Sequence, residues 1–151
     1  MFVIPTIRLA NVQDALPVAE MSRRYIEQGL GWSWTEARVR RAIGDSATNV
    51  TVACEGESIL GFAIMQYGDD KAHLSLMAVV PAHRRRGLAG ILLAWLEKPA
   101  VVAGINRLHA EVRIDNPGAL AFYERRGFRQ VKRVAGYYSG LIDALRLEKR
   151  L

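Results

Sequence analysis

Three apolar segments near the middle of the chain constrain its fold more than any other feature. They cover residues 50–54, 58–66 and 71–80, and they are rich in β-branched and apolar side chains. The breaks between them contain Gly56 and the run Gly68-Asp69-Asp70, which are residues typical of tight turns. The segments therefore predict three strands of an antiparallel meander.

Helical periodicity precedes this meander. A short strand at residues 7–9 is followed by helices at residues 14–28 and 35–43. Thr35 is expected to cap the second helix, because a threonine hydroxyl can accept hydrogen bonds from first-turn amides. The first part of the chain is thus predicted as one strand and two helices.

Helices and strands alternate after the meander. Pro99 is expected to bend or end the first of these helices, because proline lacks an amide donor. Asn116 as N-cap, Pro117 at the first helical position and Gly127 as the stop delimit the second helix. The other predicted elements are a helix at 87–102 and strands at 108–114, 128–134 and 141–147.

Strict alternation in the strand at residues 108–114 separates two faces. Four apolar residues share one face, and His109, Glu111 and Arg113 share the other. Glu111 is therefore expected to point away from the apolar side. The complete order β-α-α-β-β-β-α-β-α-β-β predicts a mixed sheet of the α/β or α+β type.

Composition limits the possible classes of protein. The chain has 151 residues, half of them apolar and 24% charged, which predicts a single globular domain over residues 1–151. A net charge of +6 favours an anionic partner, whether nucleic acid, a membrane surface or a phosphorylated small molecule. One cysteine, Cys54, excludes an intrachain disulfide, and the three histidines are scattered, so no metal site is expected. Without a recognisable signal peptide or membrane-spanning run, a cytoplasmic protein with no membrane partner is expected.

The stretch most informative for chemistry, residues 74–93, runs from a strand through a basic turn into a helix. Amides at the helix start can converge on a phosphate with Arg84, Arg85 and Arg86, and Gly87 allows close approach of a ligand. The motifs GxxxxGK[ST] and GxGxxG are absent, which removes two common nucleotide-binding interpretations. Adjacent arginines are also common on solvated surfaces, so the turn alone leaves both interpretations about equally open.

Two motifs in sequence order carry a family resemblance. Arg84-x-x-Gly87-x-Ala89, followed by Asn116-x-x-Ala119-x-x-x-Tyr123-x-x-x-Gly127-Phe128, resembles the GNAT superfamily of N-acetyltransferases. The resemblance implies a mixed, mostly antiparallel central sheet of about seven strands with helices on both faces, and acetyl-CoA as the co-substrate. The residues implied to bind acetyl-CoA are Met77, Ala78, Val79, Arg84, Arg85, Arg86, Gly87, Leu88, Ala89, Gly90, Asn116 and Tyr123.

A longer set of residues resembles the bacterial ribosomal-protein alanine N-acetyltransferase branch of that family. In that branch the carboxylate matching Glu111 is the general base, and the tyrosine matching Tyr123 is the general acid. The chain departs from the branch at Gly136 and Ile142, and these departures concern the protein acceptor. The set comprises Trp34-Thr35-Glu36, Glu111-Val112-Arg113, Asn116, Tyr123, Tyr137-Tyr138 and Asp143-Ala144.

The chemistry of these residues agrees with such roles. A carboxylate removes a proton more easily from an α-amine, with an ordinary pKa of about 7.7–8.0, than from lysine at about 10.4. Tyr123 can at least hydrogen-bond the departing thiolate. Considered without the family, Glu111 pairs with Arg113, and Tyr123 is a core aromatic. Trp34 and Tyr138, in loops expected to flank the acceptor entrance, are candidate substrate-binding residues.

Three functions follow, in order of preference. The first is acetyl-CoA-dependent acetyl transfer to the N-terminal α-amine of a protein or peptide, directly and without a cysteine nucleophile. The second is the same reaction on a small-molecule amine. The third is a basic module that binds nucleic-acid phosphates through Arg84, Arg85 and Arg86, although no nucleic-acid motif accompanies them and no specific nucleic acid is expected. The expected assembly is a monomer or a homodimer.

Overall fold

A seven-stranded sheet and four helices form the fold. The computed structural model of the protein describes residues 4–84 and 86–151. No helix in these two ranges is both long enough and apolar enough to cross a lipid bilayer. The strands are β1 (Thr6–Leu9), β2 (Thr48–Glu55), β3 (Ser58–Tyr67), β4 (Lys71–Val79), β5 (Arg107–Arg113), β6 (Arg129–Tyr138) and β7 (Ile142–Arg150). The helices are α1 (Ala15–Tyr25), α2 (Glu36–Gly44), α3 (Leu88–Val102) and α4 (Pro117–Arg125), with short 3-10 turns at Val12–Asp14 and Pro81–His83.

The strands lie in the order β1-β2-β3-β4-β5-β7-β6. Neighbouring strands are antiparallel except β4 and β5, which are parallel and are connected through α3. The predicted meander is confirmed as β2, β3 and β4. The mixed, mostly antiparallel sheet of seven strands implied by the family resemblance is confirmed as well.

Alternation along the central strands produces a hydrophobic core on each face of the sheet. Phe62 and Ile64 of β3 belong to the core that contains the buried faces of α1 and α2. Ala63 and Met65, the residues that alternate with them, belong to the core that contains α3 and Tyr123 of α4. Helices on both faces are therefore confirmed.

Side-chain caps fix where two of the helices begin. The Thr35 hydroxyl accepts a hydrogen bond from the amide of Arg38 at 3.4 Å, as the sequence predicts for an N-cap. The Asn116 side chain accepts one from the amide of Ala119 at 3.1 Å. Asn116 thereby holds the start of α4, the helix that carries Tyr123.

The first helix is shorter than predicted, because the chain turns inward at Glu27. Helix α1 ends at Tyr25, whereas the sequence predicts a helix to residue 28. The buried Glu27 carboxylate accepts hydrogen bonds from the Ser22 hydroxyl at 2.9 Å and from the Ser33 amide at 2.8 Å. These bonds provide the buried carboxyl oxygens with partners and fold the α1–α2 connection onto the end of α1.

Two further differences concern α3 and β6. Pro99 does not end α3, which continues to Val102. Strand β6 extends to Tyr138, so the Tyr137-Tyr138 pair lies on a strand. The prediction of a loop at this pair is therefore wrong. The extension is irregular at Gly136, which has a φ of 62° and whose amide donates to the Asp143 carboxylate at 2.9 Å.

Candidate active site

A gap between β4 and β5 forms the centre of the candidate site. The two strands pair only at residues 71–74 and 107–110. Further along, β4 remains bonded to β3 and β5 remains bonded to β7, so each strand has one free edge on the gap. Backbone N–H and C=O groups on such edges need partners from water or from a ligand. The predicted cofactor residues Met77, Ala78 and Val79 lie on the free part of β4.

Glu111 lies on β5 at the start of this gap, and its side chain is only 5% exposed. One carboxylate oxygen accepts a hydrogen bond from Arg146 Nε on β7 at 2.9 Å. The other oxygen contacts Nε2 of His73 on β4. Burial raises the pKa of Glu111, but the hydrogen bonds and charges of His73 and Arg146 outweigh burial, so the pKa is lower than usual. Glu111 is therefore an ionised carboxylate at neutral pH.

Arg113 is not the partner of Glu111, contrary to the alternative weighed from the sequence. Its guanidinium donates to the Asp115 carboxylate at 2.9 and 3.0 Å. The same group donates to the carbonyls of Ile26 at 2.9 Å and Gln28 at 2.8 Å, in the α1–α2 connection. Arg113 thus ties the end of β5 to that connection.

Tyr123 is buried in the core on the α3 and α4 side of the sheet, with 7% exposure. Its ring packs edge-on against Phe122 and Phe128, with centroids 5.2 and 5.1 Å away. No hydrogen bond to its hydroxyl is present in the part of the chain that the structure describes. Burial, and then the charge of Glu111, raise the pKa of Tyr123, so the hydroxyl stays protonated and can donate.

Tyr138, at the end of β6, is influenced electrostatically by both Glu111 and Tyr123. Its ring packs edge-on against Tyr137 at 4.9 Å, and the Arg113 guanidinium lies 6.0 Å from its centroid. Burial raises the pKa of Tyr138 most, followed by the electrostatic influence of Tyr137, Glu111 and Tyr123. Glu111 on β5, Tyr123 on α4 and Tyr138 on β6 therefore lie within electrostatic range of one another.

Trp34 lies in the α1–α2 connection, a loop as predicted, and its side chain is buried. It is 9% exposed and packs in the core beneath α1 and α2, and its ring is covered by the Arg38 guanidinium at 3.8 Å. Its amide lies 3.4 Å from both oxygens of Glu27. Trp34 thus packs beneath the α1–α2 connection, and its ring is shielded from solvent.

The basic turn leads into the N-terminus of α3. Gly87 has a φ of 75°, and no side chain among the described residues caps the helix. The first-turn amides of α3, which have no partner within a helix, are therefore left without a side-chain acceptor from those residues. The helix therefore presents free donors and a partial positive charge at this end. Leu88, Ala89 and Gly90 form its first turn.

The arginines of the turn have different settings. Arg84 Nε donates to the Val79 carbonyl at 3.0 Å, which ties the turn back to β4. Arg86 lies 3.4 Å from the His83 ring nitrogen. Arg85 lies outside the described residues.

Arg126, which the sequence analysis did not identify, lies at the start of α3. A Cβ atom built on Gly90 would be 1.9 Å from Arg126 Nη2, so the guanidinium occupies the space above this glycine. The group also lies 5.3 Å from the Phe122 ring centroid. A cation beside the positive end of a helix is unfavourable unless an anion lies between them, so this arrangement favours a bound phosphate.

His73 and Arg146 were also missed. Each is a polar residue that lies between two apolar residues on a strand. This alternation is the one sequence signal that could have identified them. Their contacts with Glu111 depend on the register of β4, β5 and β7, in which Glu111 is opposite Arg146. Sequence alternation does not determine that register.

Comparison with known sequences identifies related proteins. The model of the acetyltransferase (GNAT) family matches residues 17–128. The ribosomal protein bS18-alanine N-acetyltransferase of Escherichia coli (strain K12) is 32% identical over 130 residues, which cover 85% of this chain and 87% of that protein. The N-alpha-acetyltransferase MAK3 of Arabidopsis thaliana is 31% identical over 93 residues, or 59% of this chain. The matched part is 49% of the Arabidopsis protein, so the chain spans about half its length.

Comparison with solved structures gives the same relationship. The crystal structure of the ribosomal-protein-S18-alanine N-acetyltransferase from Escherichia coli superposes with a TM-score of 0.82 at 26% identity. The superposition covers 97% of this chain and 94% of the other. The two chains thus share their fold from end to end.

Proposed function

The chain belongs to the GNAT family of acetyltransferases, and on that premise we propose that it transfers acetyl from acetyl-CoA to the N-terminal α-amine of a protein or peptide. The enzyme class is that of an acyltransferase. The acceptor is inferred from the Escherichia coli relative, whose name specifies an alanine of a ribosomal protein and which matches this chain over most of both lengths. The proposal includes a single domain at residues 1–151 and a cytoplasmic location.

One observation carries the proposal, namely a buried carboxylate on β5 that is held by His73 and Arg146, with a tyrosine hydroxyl within its electrostatic range. Glu111 supplies the carboxylate, and Tyr123 supplies the hydroxyl. Acetyl transfer to an amine needs a base for the amine proton and a donor for the leaving sulfur. An α-amine suits this site better than a lysine, because its lower ordinary pKa makes the proton easier to remove.

Acetyl-CoA fits the residues beside that pair. The free edge of β4 at Met77, Ala78 and Val79 offers backbone groups to an extended ligand, apart from the Val79 carbonyl, which already accepts from Arg84. The first-turn amides of α3 and the Arg126 guanidinium offer donors and positive charge to the diphosphate. No atom of the described residues would lie within 4 Å of a Cβ atom on Gly87, so these residues leave the space beside the turn open to a ligand.

The reaction is a direct transfer. The amine nitrogen attacks the thioester carbonyl, the C–N bond forms, the C–S bond breaks, and the amine loses its proton to a base at the end of the gap where Glu111 lies. Tyr123 donates a hydrogen bond to the departing thiolate, and its raised pKa makes it a donor more than a source of a free proton. Cys54 is buried on β2 with a pKa raised by burial, which does not suit a nucleophile.

Turnover of defined amines tests this function. The protein is incubated with acetyl-CoA and with peptides that begin with Ala or Ser, and thiol release is followed. We expect turnover of free N-termini and none of the same peptides when their N-terminus is blocked and an internal lysine is left free. Turnover confined to small-molecule amines would favour the alternative acceptor, and no turnover of any amine would overturn the proposal.

A further inference from the structure

We propose that His73 is a catalytic residue that accepts the amine proton, and that Glu111 orients His73 and remains ionised throughout the step. This inference rests on the proposed acetyl transfer. It refines the role that family resemblance gives to Glu111, because it makes the base a pair of residues from β4 and β5. The observation behind it is the contact between His73 Nε2 and a carboxylate oxygen of Glu111.

Both oxygens of Glu111 already have partners. Arg146 Nε donates to one oxygen at 2.9 Å, and His73 contacts the other. Because the side chain is only 5% exposed, a proton placed on the carboxylate would displace one of these contacts inside the protein. It would also leave Arg146 without its counter-ion. Glu111 is therefore better suited to stabilise a cation than to become neutral.

The contact also determines which nitrogen of the His73 imidazole faces Glu111. An ionised carboxylate can only accept hydrogen bonds, so Nε2 must carry the hydrogen, and Nδ1 of the neutral ring carries a lone pair. Within residues 4–84 and 86–151, Nδ1 has no hydrogen-bond partner, and the side chain is 32% exposed. A carboxylate that orients one ring nitrogen and leaves the other free is the arrangement in which histidine acts as a general base.

His73 is also in the right place along the strand. It belongs to the last residues of β4 that pair with β5, directly before the two strands separate. The proton balance is complete, since the amine loses its proton to Nδ1, directly or through one water, while the C–N bond forms. The imidazolium that results lies against the carboxylate of Glu111, which stabilises its charge.

Several other groups share this face of the sheet. Opposite His73 on β5 is His109, whose Nε2 contacts the Glu148 carboxylate at 2.8 Å. Arg146 on β7 is the guanidinium that donates to Glu111, and the partner of His73 on β3 is the uncharged Gln66. His109 and Glu148 therefore form a second histidine–carboxylate pair, which provides a matched control.

The test compares substitutions in the two pairs. His73→Gln keeps a side-chain amide that can donate to Glu111 but removes the base, so we expect kcat to fall by roughly 10²- to 10⁴-fold with little change in peptide KM. The kcat of His109→Gln is expected to stay within about twofold of the wild-type value, because only the loss of a general base lowers kcat by 10²-fold or more. Folding of each variant is checked by circular dichroism. A folded His73→Gln variant that retains half or more of wild-type kcat overturns the inference.

Chemical rescue separates a base from a positioning residue. Activity of His73→Ala should be partly restored by added imidazole, and the restored rate should rise with the pKa of substituted imidazoles. A restored rate that does not depend on the pKa of the added imidazole would mean that His73 only positions Glu111.

A further measurement leaves His73 unchanged, in case its variants do not fold. The chain has three histidines, so the double variant His83→Gln, His109→Gln retains only His73. Carbethoxylation of that variant should abolish turnover, and hydroxylamine should restore it. Unaffected turnover overturns the inference. If the wild-type protein turns over no amine at all, the proposed acetyl transfer is wrong. If the wild type is active and the His73 variants are equally active, only the role of His73 is wrong.

Discussion

The two ends of the gap are built in opposite ways. At one end, Glu111 is held by side chains from two other strands, at sequence separations of 38 and 35 residues. At the other end, the donors are consecutive backbone amides of α3 with Arg126 beside them. The acid–base end therefore depends on a few specific partners, whereas the phosphate end distributes its binding over several groups. This difference predicts that single substitutions are more damaging at the acid–base end.

The largest effect is expected from Glu111→Gln, which keeps the shape of the side chain and removes its charge. The peptide turnover rate should fall by roughly 10²- to 10⁴-fold at neutral pH. The rate should recover partly as the pH rises, because an α-amine with an ordinary pKa of about 7.7–8.0 then loses its proton without help. The measurement is kcat against pH for wild type and variant. Rates near wild type would make Glu111 a structural residue and remove the contrast between the two ends.

The same difference explains how much the sequence alone can predict. The strand, turn and helix at the phosphate end lie within about twenty consecutive residues, and their glycine and helix-start signals are local, so they were predictable. The antiparallel meander was predictable for the same reason. The GNAT family and the acyltransferase class, both predicted from motifs, are confirmed.

Features that depend on distant contacts were not predictable. The contact of His73 with Glu111 requires the parallel register of β4 and β5, which the alternation of side chains does not specify. Arg113 alternates as predicted, yet its partners lie in the α1–α2 connection, more than eighty residues earlier. Arg126, at the C-terminal end of α4, reaches Gly90 of α3 although 36 residues separate them in the sequence. The roles of the candidate site residues remain predictions.

A second, smaller effect is expected from Tyr123→Phe, which removes only the hydroxyl. The ring should keep its packing against Phe122 and Phe128, so the variant should fold and bind CoA as wild type does. Loss of a hydrogen bond to a charged group costs about 1.5–3 kcal/mol, which corresponds to a fall in kcat of roughly 10- to 100-fold. Unlike Glu111→Gln, this variant should not recover at high pH. Recovery in alkali would mean that the roles of the two residues are exchanged.

Glu111→Gln should also lower the free energy of unfolding, by a smaller factor than it lowers the rate. The pKa of Glu111 is lowered in the folded protein, so its ion pairs stabilise fully above the ordinary value of 4.5 and lose their contribution as the pH falls through the lowered value. Glu111→Gln should therefore cost about 1–2 kcal/mol of unfolding free energy at pH 7, and the cost should shrink in acid. Urea unfolding of both proteins between pH 3 and 7, roughly the range that contains the ordinary carboxyl pKa, measures this. A cost that is independent of pH would mean that the carboxylate charge contributes nothing to stability.

The smallest effect is expected at the phosphate end, from Arg126→Gln. The guanidinium is on an exposed residue and shares any phosphate with several amides, so its loss should weaken CoA binding by about two- to fivefold, as for an exposed ion pair. Arg125→Gln, one residue earlier on α4 and also exposed, is the matched control and should bind CoA like wild type.

Calorimetry with CoA, dephospho-CoA and pantetheine locates the interaction. The weakening should persist with dephospho-CoA, which keeps the diphosphate, and disappear with pantetheine. A loss of a hundredfold or more would show that one side chain dominates this end too, and the contrast with the acid–base end would then be wrong.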